Sequence, residues 1–291
     1  TFGIAELEYY GTPEYDPEAH GTDVTVKSVA NVPNTDWLEV YYDAKGLADN
    51  STTVNDLKPV GTAVNGVVNG NTSVTDGAFT FDGTGDCIVS GATSLIGNPP
   101  LSYSVWFKTN SISSGSNSIV MIGYAANTES IGFRIYSTGY YRFYVYGGAS
   151  GESITTDIKA EIGNWVHATV VYDGLKSKLY IDGQFALQNT NTSTNLALDT
   201  SAKVALGNYI DSSGNITGTA SYNGSIANFR LFNRALTSDE IYQLYAYQKE
   251  YFGHGDLSMT LKAGRLGIGT SEPRAALDVR GDFYAHGSVV Q

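Results

Sequence analysis

Gly132-Phe133-Arg134-Ile135-Tyr136-Ser137-Thr138-Gly139-Tyr140-Tyr141-Arg142-Phe143-Tyr144-Val145-Tyr146 is the stretch on which the fold turns. Two runs that alternate with a period of two flank Thr138-Gly139, and that period is the one a pleated strand imposes. The stretch reads as an antiparallel hairpin with two unlike faces. Phe133, Ile135, Phe143 and Val145 lie on the side a core requires, and Arg134, Tyr136, Arg142, Tyr144 and Tyr146 lie on the other.

The same grammar extends in both directions. Short strands are expected at 37–42, 78–81, 101–107, 119–122, 165–172, 178–181 and 226–232, with turn signals at Asp82-Gly83, Asp173-Gly174 and Asp182-Gly183. So many short strands in one chain imply an all-β sandwich or barrel, with Trp106, Phe107, Phe133, Phe143, Leu179, Ile181 and Phe229 near its core. The 33 Gly and 21 Tyr among 291 residues suit strands joined by tight turns.

One helix is expected after Thr237-Ser238-Asp239-Glu240, where a hydroxyl caps and the acids face the positive end of the dipole. Ile241, Leu244 and Tyr245 then share a face. The organisation expected is an N-terminal arm at 1–35, a sandwich at 36–252 and a separate, strand-poor segment at 253–291. In the arm, Leu7-Glu8-Tyr9-Tyr10 and 24–29 read as two short strands about a Pro-rich turn. Flanks without cores of their own must pack on something, so a homo-oligomer formed through them is expected.

Net charge and apolar run length exclude several classes of function. A formal charge of -12 with no Lys/Arg run removes the attraction that supplies most nucleic-acid affinity. No apolar stretch approaches the roughly 18 to 20 residues of a membrane-crossing helix, so membrane insertion is not expected. The chain begins at Thr1 without a signal-peptide pattern and is expected to be a piece of something longer. The lone Cys87 rules out an internal disulfide and reads as a buried structural thiol. His20, His167, His254 and His286 form no metal-ligand pair, and His167 reads as a strand residue. Sequons at Asn50, Asn71, Asn191, Asn215 and Asn223 suit a secreted protein, although a chain rich in Asn, Ser and Thr supplies them by chance.

Five ordered motifs carry a family likeness: residues 81–88 (Phe81-Asp82-Gly83-Thr84-Gly85-Asp86-Cys87-Ile88), 104–108 around Trp106-Phe107, 165–174, 178–183 and 224–236. Together they resemble the laminin-G-like, concanavalin A-like lectin jelly roll, which implies two packed antiparallel sheets. The segment from Leu266 to Asp282 is similar to one found in phage tail fibres and in surface proteins of large algal viruses. The lead-in from Gly11 to Trp37 looks like that of jelly rolls in such proteins. The resemblance implies a virion-surface or extracellular setting. Within it, Arg280-Gly281-Asp282 belongs to the fibre-like segment and is not read as a receptor motif. Relatives often hold calcium, which implies Asp43 as a carboxylate ligand. Many carry Asp where this chain has Ala227-Asn228, so Asn228 would serve with one charge missing.

The function expected is non-enzymatic adhesion to a host glycan or glycoprotein, with Arg134, Tyr136, Arg142, Tyr144 and Tyr146 as the contact strip. Tyr stacks on sugar rings with little side-chain entropy to lose. Cross-strand Tyr/Arg pairs that merely stabilise a solvated face are the alternative use of the same residues. A fibre or capsid spacer is the rival function. A glycoside hydrolase is disfavoured, because such enzymes need two carboxyl groups about 5 to 9 Å apart. The Glu-x-Asp-x-x-Glu strand that supplies them in relatives is not in this sequence.

Overall fold

A computed structural model describes residues 37–125, 129–147, 150–189, 195–249, 251–254, 260–262, 264–268 and 274–279. The arm at 1–35 and Arg280-Gly281-Asp282 lie outside the described residues, as do His20 and His286.

The strands are, in chain order, β1 (Leu38–Tyr42), β2 (Thr53–Val54), β3 (Gly66–Asn69), β4 (Ser73–Thr75), β5 (Ala78–Asp82), β6 (Cys87–Ala92) and β7 (Leu101–Ser111). They continue with β8 (Asn117–Tyr124), β9 (Glu129–Ile135), β10 (Tyr140–Gly147), β11 (Ser150–Lys159), β12 (Trp165–Tyr172) and β13 (Ser177–Ile181). After β14 (Gln184–Gln188), β15 (Lys203–Leu206) and β16 (Asn223–Phe232) comes the helix α1 (Ser238–Gln248). Three further strands, β17 (Thr260–Lys262), β18 (Arg265–Ile268) and β19 (Leu277–Val279), follow it.

Two eight-stranded antiparallel sheets form the sandwich. The first runs β14-β13-β12-β7-β16-β5-β4 with β1 also on β16, and the second runs β11-β10-β9-β8-β15-β6-β3-β2. Their register follows from tight turns. Asp182 and Gly183, with φ of 49° and 74°, make the left-handed pair that a two-residue hairpin between β13 and β14 requires. The Asp182 carboxylate also accepts the His167 N–H at 2.8 Å and ties the turn to β12.

Between the sheets, alternation puts Tyr103, Val105, Phe107, Phe133, Ile135, Tyr141, Phe143, Val145, Leu179 and Phe229 into one buried cluster. Ile181, half-buried, packs against it. The face assignment of the β9–β10 hairpin therefore holds on its inner side.

Trp106 corrects the expected core list. It is fully buried, but it alternates with Val105 and Phe107 and so points out of the sandwich, on the far side of the first sheet. Helix α1 covers that side. Ile241 and Leu244 pack on Leu38, Val171, Tyr180 and Phe232, while the Tyr245 ring stacks on Trp106 at 5.8 Å. The indole Nε1 donates to Gln248 Oε1 at 3.0 Å. A capping box starts the helix: Glu240 N–H donates to Thr237 Oγ1 at 3.3 Å, and Thr237 N–H donates to the Glu240 carboxylate at 2.9 Å. Arg234 pairs with the same carboxylate.

A second compact unit begins at Lys249. It is not strand-poor, contrary to expectation: β17 and β18 pair antiparallel and β18 and β19 pair parallel in a three-stranded sheet. Strands of three or four residues are too short for alternation to reveal.

Candidate functional site

The five hairpin residues come together on the outer face of the second sheet, near the edge strand β11. Arg134 faces Arg142 directly across β9 and β10. The Arg142 guanidinium sits 4.2 Å from the Tyr136 ring centre, and Arg134 lies 5.9 Å from the same ring. Arg134 is wedged further in, 5.0 Å from the Tyr144 ring and 5.9 Å from that of Tyr209. Its terminal nitrogens donate to the Tyr209 hydroxyl, to Ser116 Oγ at 3.3 Å and to Ser153 Oγ at 3.4 Å. Among the described residues, Arg142 donates only through Nε, to Thr155 Oγ1 at 2.9 Å.

Tyr144 is not part of an exposed strip, which corrects the expectation. It keeps 2% of its surface and joins Cys87, Val89, Met121, Ala205 and Ile210 in a small apolar cluster outside the sandwich core. The reason lies some sixty residues on. The segment 207–217 folds back over this face, pinned by the Ile210–Ile216 bridge and by Asp211, whose Oδ1 accepts the N–H groups of Ser213 and Asn215 at 2.9 Å each. Those hydrogen bonds, from Asn215 above all, hold the Asp211 carboxyl below its usual range. Burial in the cluster pushes the Tyr144 phenol well above its ordinary value. Burial likewise drives the Cys87 thiol up to about 12, so it is a structural thiol here and not a nucleophile.

Two glycines shape the surface. Gly132 is the register partner of Tyr144 and Gly151 that of Tyr146. A Cβ at Gly132 would meet the Tyr144 hydroxyl inside 3.0 Å, and one at Gly151 would meet the Tyr146 ring equally closely. Each ring therefore lies across the backbone of the neighbouring strand. Tyr146 is half-buried and stands 5.3 Å from Tyr144, centre to centre. Half-buried Tyr136, Arg142 and Tyr146 form an outward shelf, and Arg134, Tyr144 and Tyr209 form the layer beneath it. Sequence reasoning missed Tyr209, Ser116, Ser153 and the two glycines. Only register could have found the glycines, and nothing in the sequence points to Tyr209.

Asp43 and Asn228, the residues implied for calcium, do meet. The Tyr41 hydroxyl lies 3.2 Å from Asp43 Oδ2 and 3.3 Å from Asn228 Oδ1. Arg230 donates to that hydroxyl at 3.4 Å and stacks its guanidinium 4.6 Å from the Tyr41 ring centre. The other Asp43 oxygen accepts the Lys45 N–H at 2.9 Å. Calcium takes six to eight oxygens and favours several carboxylates. Here one carboxylate and one amide oxygen converge on the Tyr41 phenol, against which the Arg230 guanidinium is stacked. No group of three or more His, Cys, Asp and Glu gathers among the described residues. The side chains that meet here supply one carboxylate and one amide oxygen toward such an ion, and the Arg230 guanidinium contacts the phenol between them.

One further pair has the geometry of a nucleophile and its base. Ser104 Oγ lies 2.7 Å from His167 Nε2. Both residues are buried beneath α1, with His167 packed against Trp106 and Tyr245 at 5.0 and 5.9 Å. A substrate has no approach to them in this arrangement, and the pair serves the sheet–helix contact.

This architecture is that of a lectin-type sandwich. The chain belongs to the concanavalin A-like lectin/glucanases superfamily, whose model matches residues 81–242. Among solved structures, a Trypanosoma rangeli sialidase in complex with sialic acid is similar at a TM-score of 0.58 and 17% identity, over 76% of this chain and 34% of that one. A botulinum neurotoxin serotype D binding domain is similar at a TM-score of 0.57 and 16% identity, over 76% of this chain and 53% of that one. The chain thus spans about a third of the sialidase and half of the toxin domain, and at such identities the likeness is one of fold. No curated protein matches the sequence. Among the described residues, no helix is long and apolar enough to cross a membrane.

Proposed function

We propose that the sandwich is a non-enzymatic adhesion module that binds a glycan or glycoprotein of a host surface through the shelf of Tyr136, Arg142 and Tyr146. The observation that carries this reading is the seating of the half-buried Tyr146 ring over Gly151, on the same outer face as Arg142 and Tyr136. A partly exposed aromatic ring can stack on the apolar side of a sugar, while a nearby guanidinium supplies hydrogen-bond donors. Membership of a lectin superfamily supports the reading, as does the likeness to a toxin's binding domain. The setting on a virion fibre or appendage, and assembly into a homo-oligomer through the flanks, rest on the likeness of residues 11–37 and 266–282 to such proteins.

The test replaces Tyr136 and Tyr146 together by Ser. Both are partly exposed, so the melting temperature should fall by no more than a few degrees, while binding to a glycan-array hit and to host cells should be lost. A stable double variant that binds as before would remove the shelf from the site.

A further inference from the structure

Arg134 and Arg142 stand opposite one another on adjacent strands, a placement that destabilises a sheet when both residues carry the same charge. In a chain with 29 acidic and 17 basic residues, a carboxylate beside them would be the simplest remedy. None is there. The ion pairs found among the described residues are Lys58–Asp56 and Arg234–Glu240, so neither arginine of the shelf has a carboxylate within 4.0 Å. Both guanidiniums lean on the single ring of Tyr136, whose face offsets only part of their repulsion.

The two are not equivalent. Arg134 is locked, with its terminal nitrogens engaged by Ser116, Ser153 and Tyr209 and its charge wedged between rings. Arg142 is held in place through Nε alone, and its two terminal nitrogens have no acceptor among the described residues. Fixing Nε while freeing the fork presents a preoriented guanidinium end-on, the geometry that grips an oxyanion with two parallel hydrogen bonds. Arg134, fixed behind it, adds positive potential without offering donors.

Resting on the glycan reading above, we infer that the shelf selects an acidic sugar, one carrying a carboxylate or a sulfate, which Arg142 binds by its fork while Tyr146 stacks on the adjoining ring. The oxyanion relieves the repulsion between the two arginines that the fold leaves uncompensated. The recognition needs no metal ion, because the positive charge is built into the strands.

The test measures binding of the whole chain to lactose, sialyllactose and sulfated lactose in the presence of a chelator. At least one acidic probe should bind about tenfold or more tightly than lactose, and its affinity should drop as salt is raised, since a half-exposed ion contact is screened. In Arg142→Gln the acidic probe should bind no more tightly than lactose, and its salt dependence should be lost. Equal binding of all three probes would overturn the charge preference and leave glycan binding standing. Binding of none would overturn both. An acidic preference that survives in Arg142→Gln would overturn the assignment to this residue.

Discussion

Replacing the two shelf glycines by alanine separates the orientation of the rings from the stability of the sheet. A Cβ at Gly132 would fall 2.7 Å from the backbone oxygen of Val120, as well as onto the Tyr144 hydroxyl. The first contact cannot be relieved by a rotamer change, since Val120 belongs to the central strand β8. Overpacking of this kind costs about 1 to 3 kcal/mol. Removing a strand glycine returns roughly 0.5 to 1 kcal/mol of chain entropy. Gly132→Ala should therefore destabilise the sandwich by up to about 2.5 kcal/mol. At Gly151, on the edge strand β11, the three nearest atoms all belong to the Tyr146 ring, the end of a half-buried side chain that a change of rotamer can move. Gly151→Ala should change stability by no more than about 0.5 kcal/mol either way, because the same entropy gain offsets the displaced ring.

Binding should show the reverse order of sensitivity per unit of stability. A lost ring contact of about 0.5 to 1.5 kcal/mol corresponds to a two- to tenfold weaker glycan affinity in Gly151→Ala. Urea midpoints read by tryptophan fluorescence, with equal slopes, give the stabilities, and calorimetric titration with the glycan hit gives the affinities. If Gly151→Ala binds as the parent does while Gly132→Ala is as stable as the parent, the seating of both rings has been misjudged, and the shelf loses its physical basis.

Phe143→Ala empties a fully buried site between the sheets and should cost about 3 to 5 kcal/mol in the urea transition of the sandwich; a loss under about 1 kcal/mol would put Phe143 outside the core. The hydrogen bond from Arg234 holds the Glu240 carboxyl at about 2, below its ordinary 4.5. Its folded pKa lies below the unfolded one, so the stability it contributes is present above about pH 4.5 and is lost as the pH falls towards about 2. The melting temperature of the parent should therefore exceed that of Glu240→Gln near neutrality, and the two should converge as the solution is acidified. A gap that widens on acidification would contradict the pairing of Glu240 with Arg234.

Alternation revealed which residues share a face, and the β9–β10 hairpin, β7 and β12 folded as it required. It could not reveal what lies above the outer faces. Trp106 and Tyr144 both alternate away from the core, and both are buried all the same, because segments remote in sequence close over them. Gln248 reaches Trp106 across 142 positions, and Tyr209 lies 65 positions beyond Tyr144. No local signal encodes such a covering. The pairing of Arg134 with Arg142 is a matter of register, which the turn at Thr138-Gly139 sets, so its consequence was latent in the sequence once the hairpin was granted. The glycines followed the same logic, since a strand glycine opposite a tyrosine leaves room for the ring to approach the backbone. Two adjacent strands here place like charges opposite each other, with no carboxylate paired to either among the described residues. On the proposal above, an arriving anion would recover the stability that this placement costs, which would make the outer face of this sheet, rather than its core, the part of the molecule shaped by binding.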